Sequence, residues 1–97
     1  MKLEYKILWI DNDDYIYDDH QNTIEDYLNN LGFVPVITKG KNYADFEQLH
    51  SSLKEFDLFI LDYKLDDRKN GNTIIQEIRD VNNIYTDVVF YSTVKDD

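Results

Sequence analysis

Two runs of apolar residues, Ile7-Leu8-Trp9-Ile10 and Leu58-Phe59-Ile60-Leu61, each stop on carboxylates. The first is followed by Asp11-Asn12-Asp13-Asp14 and the second by Asp62. A run that is continuously apolar, with no polar alternation, marks a strand covered on both faces, as strands of a parallel sheet are. Parallel strands need long crossover connections, which are right-handed and usually helical, so the chain is directed towards an α/β fold. In such sheets the functional crevice lies beyond the carboxyl ends of the strands. Both groups of acids then meet at one edge. Neighbouring carboxylates repel, and their commonest stable uses are to hold a divalent cation and to handle phosphate through it.

The segments between the runs have the periods that such a fold requires. From about Tyr15 to Leu31 a helix is expected, with Ile24, Tyr27, Leu28 and Leu31 on its apolar stripe and Gly32 as the stop. Residues 33–38 read as a second strand, and Pro35 places it at a sheet edge because proline cannot donate to a ladder. Asn42 is a candidate N-cap for a helix whose stripe is Phe46, Leu49, Leu53 and Phe56. After the strand at 57–61 comes a polar loop, then a helix beginning near Asn72 or Thr73 with Ile74, Ile75 and Ile78 inward. A fourth strand is expected over 87–91, ending on Ser92-Thr93. Four strands alternating with three helices predict one domain spanning 1–97.

Composition removes several function classes. With 20 acidic against 10 basic residues the formal charge is −10, which disfavours non-specific binding to nucleic acid or to anionic membranes. The absence of cysteine excludes disulfides, thiolate catalysis and Cys-based zinc sites. No apolar stretch approaches the roughly 20 residues of a membrane span. The first residues lack the pattern of a signal peptide, so a cytoplasmic location is expected. His20 and His50 are isolated among polar residues and read as solvated, and Trp9 reads as core.

The ordered set ILWIDND (7–13), LFILDYKL (58–65), Gly71 and VVFYST (88–93) resembles the receiver domain of two-component response regulators. The resemblance covers essentially the whole chain. It implies a flavodoxin-like, three-layer α/β/α fold with a parallel sheet of order 2-1-3-4. It also implies a signalling phosphoacceptor and not a turnover enzyme. Asp62 would accept a phosphoryl group from a sensor histidine kinase or a phosphotransfer protein. The resemblance further implies Mg²⁺, with ligands at Asp11, Asn12, Asp62 and the backbone carbonyl of Lys64, and Asp13 as a further candidate. Ser92, with Thr93, would contact the phosphoryl group and act as the switch.

Three departures from the family pattern are visible. Asn12 stands where a second acid is usual, which predicts weak Mg²⁺ binding. The usual loop proline is missing, and Gly71 comes about one residue late. The sequence ends at Asp97, before the family's fifth strand, lysine and last helix, and self-association through the exposed fourth strand is the corresponding expectation. Two alternatives stay open. One is a receiver-like interaction module that never takes phosphate. The other is a haloacid-dehalogenase-type phosphatase, with Asp11 as nucleophile and Asp13 as acid/base.

Overall fold

The computed structural model of the chain describes residues 3–11, 14–62, 71–81 and 83–91. Four parallel strands, β1 (Leu3–Ile10), β2 (Phe33–Gly40), β3 (Leu58–Asp62) and β4 (Val88–Tyr91), form one sheet of order β2-β1-β3-β4. This is the expected order, and Pro35 lies on the outer strand that its missing N–H predicted. The registers Ile10↔Gly40, Ile10↔Leu61 and Asp62↔Tyr91 bring the strand ends to a common edge.

Strict alternation divides the strand residues between two cores. Ile7, Trp9 and Ile60 face α1 (Asp14–Asn30), where Tyr17 and Leu28 are buried against them. Leu8, Ile10, Phe59 and Leu61 face the opposite layer. That layer contains α2 (Tyr43–Gln48), a 3₁₀ helix (His50–Glu55), α3 (Gly71–Gln76) and a π-helical turn (Glu77–Val81). The architecture is therefore three-layered, with helices on both faces of a parallel sheet.

The first helix departs from its expected stripe. Leu28 is buried and Ile24 is partly buried, but Tyr27 is 65% exposed and Leu31 57%. At 100° per residue, Tyr27 lies well off the line through Leu28, while Tyr17 lies on it, seven residues before Ile24. Leu31 falls just past the last helical residue, where its N–H bonds the carbonyls of Tyr27 and Leu28. Gly32 then takes φ +92°, the left-handed turn that ends the helix.

The second helix is broken where an unbroken one was expected. Asn42 caps α2 as predicted, its side chain accepting from the Asp45 N–H at 2.9 Å. After Leu49 the winding tightens: the N–H groups of Leu49, Ser52 and Phe56 each bond the carbonyl three residues back. In a 3₁₀ turn residues i and i+3 eclipse, so Leu53 and Phe56 reach the same core together. The third helix loosens instead. Past Gln76 it becomes π-helical, and Asn83 at φ 56° turns the chain back. The Ile84 N–H returns to the Ile78 carbonyl at 2.9 Å, and Arg79 donates to the Ile84 carbonyl at 2.7 Å. Among the described residues no helix is long and apolar enough to cross a membrane.

Candidate functional site at the carboxyl edge

Two residues, Asp11 and Asp62, are the buried charged groups among the described residues, and each is 0% exposed. Their placement follows from the strand period. Asp11 continues the alternation of Ile7 and Trp9, and Asp62 that of Ile60, so both lie on the α1 face. Their registers agree as well. Ile10 pairs with Leu61, so the next residues on the two strands are Asp11 and Asp62. Adjacent strands lie about 4.8 Å apart. The first inference from sequence, that both acid groups share one edge, is met by these two residues.

Burying charge is costly unless it is compensated, and two like charges in adjacent register add repulsion. No buried side-chain nitrogen or oxygen among the described residues lacks a hydrogen-bond partner. The pair supplies hard oxygen donors, the type that Mg²⁺ prefers. Among the described residues no group of three or more His, Cys, Asp or Glu assembles into a metal cluster. The further ligands expected from sequence, Asn12, Asp13 and Lys64, lie outside the described residues, as do Ser92 and Thr93.

The backbone around Asp11 is held by β2 and α1. The Asp11 N–H donates to the Gly40 carbonyl at 3.0 Å and lies 3.1 Å from the Tyr17 hydroxyl. Tyr17, 3% exposed, reaches this place from α1. Its ring meets Trp9 edge-on at 4.9 Å, and the Lys39 ammonium sits 5.0 Å from its centroid. Gly40 sits where a side chain would be crowded. A Cβ there would come within 2.7 Å of Ile10 Cδ1 and 3.1 Å of Asp45 Cβ.

Beyond Gly40 a cleft of about 500 Å³ opens beside the end of β2, lined by Tyr17, Thr38, Lys39, Lys41 and Asp45 among others. Neither Asp11 nor Asp62 lines it, though Tyr17 and Gly40, which do, bond the Asp11 backbone. Further away, Tyr43 donates a hydrogen bond to Glu77, joining α2 to the π turn. Burial, with the hydrogen bond to Glu77 and the charges of Glu77 and Glu47, pushes the Tyr43 phenol well above its ordinary value. His20 is exposed, as expected of a solvated residue. The side chain of His50 lies outside the described ones.

No protein-family model matches the chain, and no curated protein does. Solved structures do. The chain is similar to the MaeR response regulator bound to beryllium trifluoride, with a TM-score of 0.70 and 26% identity. That match covers 95% of this chain and 70% of the other. An aspartate-to-alanine mutant of the MaeR response regulator bound to sulfate matches with a TM-score of 0.68 and 22% identity, over 96% of this chain and 70% of the other. These neighbours have the receiver architecture that the motif order implied. With four parallel strands in the order 2-1-3-4 and helices on both faces, the chain has the fold of a response-regulator receiver domain.

Proposed function

We propose that the chain is a phosphoacceptor receiver in which Asp62 takes a phosphoryl group from the phosphohistidine of a sensor kinase or phosphotransfer protein. The observation that carries the reading is the pairing of Asp11 and Asp62, fully buried and in adjacent register at the carboxyl edge of the sheet. A lone strand-end aspartate would be an ordinary turn residue. Two that share a face and a register concentrate negative charge where a structural role gives no reason for it.

In this reading an Asp62 carboxylate oxygen attacks phosphorus while the bond from phosphorus to the donor's imidazole nitrogen breaks. The electron pair leaves with that nitrogen. Asp11 and Asp62 would hold Mg²⁺, joined by Asn12, the Lys64 carbonyl and Asp13 from the adjoining segments. When bound, the cation offsets the repulsion between the carboxylates and the incoming phosphoryl oxygens. Asp11 would help to hold the cation beside the nucleophile. Ser92, with Thr93, follows β4 and would bond a phosphoryl oxygen, carrying the change to a partner surface.

Loading with beryllium trifluoride, the reagent carried by the MaeR neighbour, tests the assignment directly. With Mg²⁺ present, BeF₃⁻ or a small phosphodonor should modify Asp62 and leave an Asp62→Asn variant untouched. Modification at Asp11 instead would transfer the chemistry to the phosphatase arrangement. No modification of a folded, Mg²⁺-saturated protein would leave the interaction module that never takes phosphate.

A further inference from the structure

We propose that Tyr17 is a positioning residue of the acidic site, its hydroxyl fixing the direction in which Asp11 leaves β1. The consequence for cation binding rests on the phosphoacceptor reading; the positioning itself does not.

Tyr17 stands in the first turn of α1, where helical side chains lean back towards the N-terminus. This carries the phenol over the ends of β1 and β2. The hydroxyl oxygen lies 2.7 Å from the Gly40 carbonyl, 2.9 Å from the Trp9 carbonyl and 3.1 Å from the Asp11 nitrogen. The Asp11 carbonyl is further off, at 3.4 Å. A phenol has one proton to give and lone pairs to accept with. It therefore donates to a strand carbonyl, Gly40 being nearest, and accepts from the Asp11 N–H. One oxygen thus ties the first turn of α1 to the last residues of two strands.

The location of that tie matters. The paired register of β1 with both neighbours ends at Ile10, and Asp11 is the next residue. Where its Cα–Cβ bond points depends on the peptide plane that precedes it, and the two acceptors of its N–H, the Gly40 carbonyl and the Tyr17 hydroxyl, hold that plane. The phenol cannot easily shift, because Trp9 packs edge-on against the ring and Lys39 sits near it. Nor can the β2 end close in further, since Gly40 already lies closer to Ile10 than a Cβ would allow. A buried phenol ordinarily finds a hydrogen-bond partner. This one places its oxygen among three backbone groups of the strands that bear and border the site.

The test uses Tyr17→Phe, which keeps the ring and removes the oxygen, beside Leu28→Ala, which weakens the same core far along the same helix. The first readout is amide hydrogen exchange in metal-free protein, as the ratio of the Asp11 rate to that of Leu8 on the same strand. A general loss of stability moves both rates together. Loss of one hydrogen bond at Asp11 should raise the ratio roughly 5- to 10-fold in Tyr17→Phe and leave it unchanged in Leu28→Ala. The second readout is Mg²⁺ titration, in which Tyr17→Phe should bind roughly 10-fold more weakly and Leu28→Ala like the wild type. An unchanged ratio in Tyr17→Phe, or an equal rise in Leu28→Ala, overturns the inference. A raised ratio with wild-type Mg²⁺ affinity confines Tyr17 to the fold and overturns its role in the site. Should the wild-type protein take up neither Mg²⁺ nor BeF₃⁻, the phosphoacceptor reading fails alone, and the exchange ratio still decides whether Tyr17 holds Asp11.

Discussion

The two faces of the sheet are built to different standards. On one, Leu8, Ile10, Phe59 and Leu61 meet Phe46, Leu53, Phe56, Ile74, Ile78 and Ile84 in a continuous apolar layer. The helices covering it are short and irregular, one tightening into 3₁₀ and the other loosening into a π turn. On the other face, among the described residues, one regular helix of 17 residues covers a smaller core of Ile7, Trp9, Tyr17, Leu28 and Ile60. That face ends in Asp11 and Asp62. Regular helix geometry does not track the amount of apolar surface buried. The irregular side bends its helices to bring more side chains inward, whereas the regular side leaves Tyr27 and Leu31 outside and keeps charge at its edge. The larger apolar core lies on one face and the buried acids on the other.

The sharpest way to break this contrast is to cut one side chain from each face. Phe59→Ala, in the larger core, should cost about 4 kcal/mol of folding stability. Leu28→Ala, at the margin of the smaller core, should cost nearer 2 kcal/mol. Denaturant melts of the two variants check the order, and equal losses would show that the faces carry the fold equally. The acidic edge should behave in the opposite sense. In metal-free protein, Asp62→Asn removes one of two adjacent buried charges and should raise the melting temperature by a few degrees, about 1 kcal/mol. A fall would mean that the carboxylate is held by its neighbours more strongly than Asp11 repels it.

The smallest effect belongs to Tyr43 on the apolar side. Its phenol holds its proton more tightly in the folded protein than in the unfolded chain, where the value is near 10.0. The unfolded state therefore releases that proton first as pH rises. The contribution to stability is fully present below pH 10 and is lost progressively above it. Tyr43→Phe should lose this contribution at pH 7, less than about 1 kcal/mol, and flatten the alkaline decline in melts followed between neutral pH and pH 11. An identical alkaline slope in both proteins would assign the decline to other groups.

What could be read from the sequence was set by strong, local signals. The strands were legible because Ile7–Ile10 and Leu58–Leu61 are apolar without interruption, and the edge position of β2 because Pro35 has no N–H to give. Asn42 announced its cap by residue type alone. The breaks at Leu49 and Gln76 were not legible. Spacings of three and four serve an α-helix, and a 3₁₀ or π adjustment of a few residues uses the same apolar positions. Tyr17 was missed for a different reason. Read from Ile24 back by one heptad it belongs to the stripe of α1, but the acids around it mask the period. Its function depends on the ends of β1 and β2, which lie far away in sequence. At the site, the partnership of Asp11 with Asp62 could be anticipated from topology, while their shared face and register needed the observed pairings.

The pairing of β1 with both β2 and β3 has a consequence for how the protein comes to exist. The strand that ends as the centre of the sheet is the earliest of the four to be synthesised. One flank is covered when β2 emerges, but the other stays open until residues 58–61 have left the ribosome. Over that interval its apolar run would be available to chaperones, or to the same run on a neighbouring nascent chain. The Lys6 amide and carbonyl meet the Asp57 carboxylate and amide at 2.9 and 2.7 Å, just ahead of the first β3 residue. That reciprocal contact agrees with the register Ile7↔Leu58, the register in which Asp11 and Asp62 come side by side.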